Sequence, residues 1–295
     1  MEICSYNIQY GVGKDGQVDL VRIADDVGDR DLICLQEVER FFPETGSVDQ
    51  VGEIASLFPR HHWTFGPGVD LDADETNERG NVRHQRRQFG NMMLSRTPIL
   101  SSRNHLLPKH GLVNSMSLQR SLLEGVIDAP SGPIRVYTTH LAHASPVERH
   151  DQIDAILALI RELPQSGGVW SGRSSPTHWT DVGAQPPMPA RAMLMGDFNL
   201  TPLDAEYELL VGAYDVGHGR LARLDLLVDA WKVAGVGPHD QPTCVEAPRG
   251  DRPERHVRLD YLLVTPDLAQ ALSTVTIDTN AQGSDHQPIF ATIDV

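Results

Sequence analysis

The stretch "NAQGSDHQPIFATIDV", residues 280–295, places an acid and an imidazole, Asp285 and His286, directly in front of a short apolar run. The run Pro288–Asp294 reads as a strand. A core strand has no need of Ser-Asp-His at its mouth, so the dipeptide asks for a chemical explanation.

The same peculiarity recurs outward along the chain. "EICSYN" ends at Asn7, "DLICLQE" at Glu37, "IRVYTTH" at His140 and "AMLMGDFN" at Asp197 and Asn199, while "HVRLDYLLV" carries Asp260 near its start. Taken singly, a Glu closing a strand is a solvated turn residue, and Asp or Asn there is a turn former that bonds nearby backbone. Asp260 resists that reading, because a carboxylate two residues before "LLV" would be buried and needs a partner. His286 is the candidate.

Together these residues supply oxygen ligands for a hard cation, an Asp–His pair and neutral amide donors. Glu37 and Asp285 with Asn7 suit Mg²⁺, which prefers a few carboxylates and retained waters. CxxC and HExxH spacings are absent, as are a GxSxG elbow and a GxxxxGK[ST] loop. That excludes the corresponding zinc, serine-hydrolase and P-loop chemistries. A metal with acid–base groups and no activated Ser or Cys points to water as the nucleophile.

Short strand-like runs fill the rest: 2–8, 31–36, 62–66, 89–95, 122–128, 134–140, 192–196, 259–265 and 272–278. Helical spacing appears at 19–28 and 146–163, with shorter helices expected at 47–58, 204–213 and 223–231. Many strands and few helices in no βαβ rhythm predict an α+β sandwich in one domain over residues 1–295. Segment 164–191 is Gly/Pro/Ser-rich and carries Trp170 and Trp179, so it reads as a loop insertion facing a substrate.

Composition sets outer limits. The 40% hydrophobic and 22% charged content suits a globular chain, and no run of ~18 apolar residues spells a membrane span. Cys4, Cys34 and Cys244 show no paired spacing; with no leader-like start, they predict a reduced, cytoplasmic protein. A net charge of −15 repels polyanions. Two basic runs depart from it, "VRHQRR" at 82–87 and "PRGDRPERHVR" at 248–258, and an acidic run, "DLDADETNE" at 70–78, lies close by.

The ordered set "SYNIQYG", "DLICLQEVE", "FGNMMLSRTPI", "RSLLEGVI", "YTTHL", "GDFNLTP", "RLDYLLV" and "GSDHQPI" resembles the endonuclease/exonuclease/phosphatase superfamily. Its members include DNase I-like nucleases, inositol-polyphosphate 5-phosphatases and neutral sphingomyelinases. The resemblance spans essentially the whole chain. It implies a four-layered α/β sandwich of two packed mixed sheets flanked by helices, with the site at one end. It also implies Glu37 as principal metal ligand with Asn7 beside it, and Asp285 supporting the metal or water. His286 matches the catalytic imidazole, Asp260 its orienting carboxylate, Asp197 and Asn199 the pair that positions water and phosphoryl oxygens, and His140 a phosphate donor. Mg²⁺ is the implied cofactor, with Mn²⁺ as a substitute. DNA-repair members often carry an acid two places after the first-motif Asn; here that place is Gln9.

The expected reaction is hydrolysis of a phosphomonoester or diester on a small molecule or lipid headgroup. A DNA or RNA nuclease and a non-catalytic binding module are the alternatives. Arg87, Asn91, Arg258 and Trp179 are the expected substrate contacts.

Overall fold

The computed structural model describes residues 1–172, 185–235, 237–246 and 254–295. The first strands are β1 (Glu2–Asn7), β2 (Leu32–Arg40), β3 (His62–Asp72), β4 (Glu75–Thr76), β5 (Val82–Arg83) and β6 (Arg86–Ser95). There follow β7 (Ile99–Leu106), β8 (Ser121–Ile127), β9 (Ile134–His140) and β10 (Ala192–Asp197). The last part adds β11 (Tyr214–Asp215), β12 (Gly219–Arg220), β13 (Val228–Asp229), β14 (Cys244–Glu246), β15 (Arg255–Val257), β16 (Asp260–Val264), β17 (Leu272–Ile277) and β18 (Ile289–Ile293). Helices are α1 (Leu20–Val27), α2 (Gln50–Leu57), α3 (Pro146–Ser166), α4 (Ala205–Val211), α5 (Ala230–Ala234) and α6 (Pro266–Ala269).

Twelve strands form two six-stranded mixed sheets, ordered β17-β18-β1-β2-β6-β3 and β13-β16-β10-β9-β8-β7. Their inner faces share one core, in which Ile3, Leu32 and Met93 meet Val136, Met193 and Leu262. Behind the first sheet, α1 and α2 cover Cys4, Ile33 and Leu94; behind the second, α3 and α4 cover Tyr137, Leu194 and Leu263. Each sheet is thus apolar on both faces, which is why "LICL" and "MLM" run without alternation. Helix, sheet, sheet, helix: four layers.

Local signals set the helix ends. Asp19 and Ser145 cap α1 and α3 by accepting from Arg22 N and Glu148 N, and Pro146 opens α3 where no N–H is needed. The expected helix at 223–231 is replaced by β13 and the short α5. Asp229 accepts from Trp231 N to cap α5, while β13 pairs with β16.

Residues 173–184 of segment 164–191 lie outside the described residues, and the reading of it as a substrate-facing loop falls on them. Its described ends lie where β9 and β10 begin: Arg135, near the start of β9, donates to the carbonyls of Ile160 and Ala190. Arg191 reaches Pro133 O and Ser131 O. Trp179 falls outside the described residues.

Candidate active site

Register brings the polar strand ends together. Asp197, the last residue of β10, pairs with His140 on parallel β9 and with Asp260 on antiparallel β16. Gly196 makes that pairing possible: its backbone lies at φ +137°, and a Cβ there would meet Thr139 O at 2.0 Å. From the facing sheet, β1 delivers Asn7, and β2 delivers Glu37 at a bulge between Leu35 and Val38. Glu37 at φ +59° and Asn199 at φ +51° adopt left-handed backbone that non-glycine residues rarely hold, the strain typical of functional sites.

Two clusters share Asp197: Glu37 with His140 and Asp197, and Asp197 with Asp260 and His286, each offering ligand atoms within 4.8 Å of one another. Asp260 Oδ2 lies 2.8 Å from His286 Nδ1, the pair read from the sequence. His286 Nε2 points back to Asp197 Oδ2 at 3.8 Å. His140 spans the first cluster, with Nε2 3.3 Å from Asp197 Oδ2 and Nδ1 3.7 Å from Glu37 Oε1.

The electrostatics separate the two imidazoles. Burial alone would lower the pKa of His286, but Asp260 and Asp197 outweigh it and hold the ring well above its usual range. His140 is held well below, first by burial and then by Arg120 and His286. Burial also pushes the Asp197 carboxyl up to about 7, with His286 opposing and Asp260 adding to the rise. Glu37 is raised by burial as well. One imidazolium and one neutral imidazole therefore flank a carboxyl poised near neutrality.

Some expected ligands sit differently. Asn7 turns its amide NH₂ to Glu37 Oε1 at 3.2 Å and Asp197 Oδ2 at 3.0 Å, while its Oδ1 accepts from Gln9 N. It positions both carboxylates as a donor rather than offering oxygen to a cation. Asp285 Oδ2 accepts from Gln9 Nε2 at 2.9 Å, and its carboxylate belongs to neither cluster. Gln9, where an acid was noted as missing, is therefore the residue that holds Asp285. Asn199 donates through Nδ2 to Leu141 O, and its N–H bonds Asp197 Oδ1 at 2.8 Å.

The expected substrate contacts divide. Asn91 lines a narrow cleft with His140, Arg120, Gly68 and Gly90, and its Oδ1 is buried without a partner. Arg87 is tied to Phe41 O. Arg258 corrects the expectation: it is buried, paired to Asp229 at 2.8 Å and stacked over Tyr261, because an arginine beside an apolar strand is drawn inward when a buried acid awaits it. Residues 248–253 of the second basic run lie outside the described residues.

Two participants escaped the sequence reading. Thr243 Oγ1 donates to Asp260 Oδ2 at 2.6 Å and accepts from the N–H groups of Leu259 and Asp260. Arg120 is 4% exposed, and its Nε and Nη1 are buried without partners. Only its Nη2 is engaged, 3.3 Å from His143 Nδ1. "GPG" at 66–68 was the available signal, since glycine within a strand marks close backbone approach. A Cβ on Gly68 would meet Gln119 O at 2.3 Å, beside Arg120.

The donor set fits a divalent cation. Asp197 is a buried carboxylate and Glu37 a part-buried one, and His140 Nδ1, 3.7 Å from Glu37 Oε1, is a buried polar atom with no hydrogen-bond partner. A two-sheet sandwich with acids, amides and imidazoles converging at one end is the architecture of a phosphoester hydrolase. The family model "Endonuclease/Exonuclease/phosphatase family" matches residues 4–286, and the chain belongs to that family of metal-dependent phosphoesterases. No curated protein matches it.

Solved structures share the fold. An endonuclease/exonuclease/phosphatase from Beutenbergia cavernae DSM 12333 is 22% identical over 99% of this chain and 70% of its own, with a TM-score of 0.61. A mannosyl-6-phosphatase from Bacteroides thetaiotaomicron VPI-5482 is 15% identical over 100% of both chains, with a TM-score of 0.58. D. rerio TDP2 complexed with single-strand DNA product is 16% identical over 100% of this chain and 99% of its own, with a TM-score of 0.56. No helix among the described residues is long and apolar enough to cross a membrane.

Proposed function

We propose that this chain hydrolyses a phosphate ester on a small molecule or lipid headgroup, with Mg²⁺ or Mn²⁺ as cofactor. The observation that carries the reading is the pair of clusters sharing Asp197, one built for a cation and one for an imidazolium. Glu37 and Asp197, with His140 Nδ1 or a retained water, would hold the cation, which when bound neutralises charge on phosphoryl oxygens.

The chain's own groups divide the remaining work. Asp197, shared by both clusters, orients the attacking water. Asp260 fixes the tautomer of His286 and keeps it charged, so that Nε2–H donates to the phosphoryl group as negative charge grows. Thr243 holds Asp260 in place, and Asn7 spaces the two carboxylates. Arg120 and Asn91 face the cleft with unused hydrogen-bonding capacity, and Arg120 is the fixed cation for a non-bridging oxygen.

Charge pairing favours a compact substrate over nucleic acid. Arg83 and Arg86 of the first basic run are engaged by Glu75 and Asp70, Arg87 by a carbonyl, and Arg258 is internal. These arginines leave little free cation for a polyanion. A lipid headgroup is favoured by the loop that leads into Arg120, where Val113 and Met116 stand exposed.

The test compares p-nitrophenyl phosphate, its bis-ester and phospholipid vesicles with Mg²⁺, Mn²⁺ or EDTA. Metal-dependent turnover is expected to fall by ~10²–10⁴ in His286→Ala and in Asp197→Ala. Turnover near wild type in either variant would falsify the assignment. The ratio of monoester to diester rate assigns the ester class.

A further inference from the structure

A second cavity, of about 360 Å³, opens between α4, α5 and the β11–β12 ribbon. It shares no lining residue with the cleft of Arg120 and His140. Val211, Leu227, Val228 and Val233 give it apolar walls. Its floor, Asp229, is fully engaged by Tyr207 Oη at 2.7 Å, Arg258 Nη2 at 2.8 Å and Trp231 N at 3.0 Å. The acid therefore presents no free charge to an occupant.

Rings and cations occupy the remaining sides. Tyr207 and His239 meet edge to face with centroids 5.4 Å apart, and Tyr214 stands at the mouth, 61% exposed. His239 Nδ1 is buried and has no partner, and burial followed by Arg258 holds the ring below its usual pKa, so it is neutral. Arg220 lies 5.2 Å over Tyr207 and 5.6 Å from the Tyr214 ring, bonded through Nη1 to Glu208 and Gly212 O. Lys232 is exposed and has no ion-pair partner among the described residues.

A plain packing gap would be shut by the side chains at its edge. Here Tyr214 and Val233, both lining residues, stand in solvent instead, giving an apolar rim around an apolar hole. Gly212, at φ +93°, lets the ribbon fold back against Leu221, whose carbonyl would be 2.2 Å from any Cβ at that place. Among the described residues Lys232 is the free cation on the cavity's lining, Arg220 being already paired to Glu208 at 2.9 Å, and in a chain of net charge −15 it sets the polarity of an occupant.

We propose that this cavity binds a flat ring bearing one anionic group, with the ring among Tyr207, Tyr214 and His239 and the anion on Lys232. The fixed charge of Lys232 among apolar and aromatic walls matches small-ligand pockets, which combine apolar walls with a few fixed polar groups. An aromatic carboxylate and a nucleoside monophosphate share that chemistry. The site stands apart from the phosphoesterase clusters, and its test does not depend on them.

Calorimetric titration of the full chain in EDTA, with indole-3-acetate, neutral indole and GMP, tests it. Indole-3-acetate is expected to bind about tenfold more tightly than indole, the anion accounting for the difference. Lys232→Glu is expected to weaken it by a similar factor, and Ala222→Trp, which fills the cavity from an exposed position, to abolish it. Both variants should keep the wild-type Tm and p-nitrophenyl phosphate turnover. Competition by GMP identifies a nucleotide as the source, and binding of indole-3-acetate without competition identifies an aromatic acid. Absence of heat with all three probes overturns the proposal, as does equal binding in wild type and both variants. GMP binding that survives Ala222→Trp belongs elsewhere and removes the nucleotide.

Discussion

Asp197 is the residue on which both clusters turn, and taken singly it read as a turn former. It was the recurrence of polar residues at strand ends, and the resemblance they carry, that singled it out, whereas the cost of burying a carboxylate pointed to Asp260. The same logic found His286 as its partner. It misplaced Arg258, since a basic residue beside a strand gives no sign of whether its partner lies outside or within. It also passed over Arg120 and Thr243, whose roles depend on which loops close over them. Arg120 now yields an expectation of opposite sign for stability and activity. Replacing a buried, mostly unpaired guanidinium by an apolar chain of similar length is neutral or stabilising. Arg120→Met should hold or raise the urea midpoint, while kcat/KM for the phosphoester falls roughly tenfold or more. Unchanged kinetics would remove Arg120 from the site, and collapse of the fold would make it a structural residue.

At the level of the element, strand ends carried the message. The apolar runs located most strands, whereas β7 went unread because "ILSSRNHL" alternates around polar residues and lies at a sheet edge. β3 continues past its expected end at Gly66 to Asp72, through the irregularity between Pro67 and Val69. Within β2, Glu39 is buried where Glu37 is only part-buried, and it accepts from the Thr45 hydroxyl at 2.9 Å. Burial pushes its carboxyl up from 4.5 to about 7, with Thr45 opposing. A raised carboxyl binds its proton more tightly in the folded state, so stability is greatest below the unfolded value and declines as pH climbs through about 7. Glu39→Gln should therefore raise the urea midpoint at about pH 8 and change it little at about pH 4. A loss at both pH values would show that the ionised form is the stabilising one.

Over the whole molecule, the four layers followed from helices that each have one apolar face and sheets that are apolar on both. Charge was the other global property in the sequence, although the basic runs within it did not reveal their internal pairing. A surface of this sign predicts weak salt dependence. Raising NaCl from about 50 to 200 mM should leave KM for a small phosphoester within about twofold, where a protein gripping 6–10 phosphates loses ~10³–10⁵ in affinity. The same titration on plasmid DNA discriminates: a steep salt slope with efficient cleavage would move the substrate to nucleic acid.

The placement of β1 between β2 and β18 bears on how the molecule comes into being. Ile3 pairs with Leu32 on one side and with Ala291 on the other, so one edge of β1 is satisfied early and the other waits for nearly the whole chain to be synthesised. His286 arrives in that same late segment. The strand that covers the open edge of β1 is therefore the one that carries His286 to the site, so the first sheet and the Asp197–Asp260–His286 cluster are completed by the same segment.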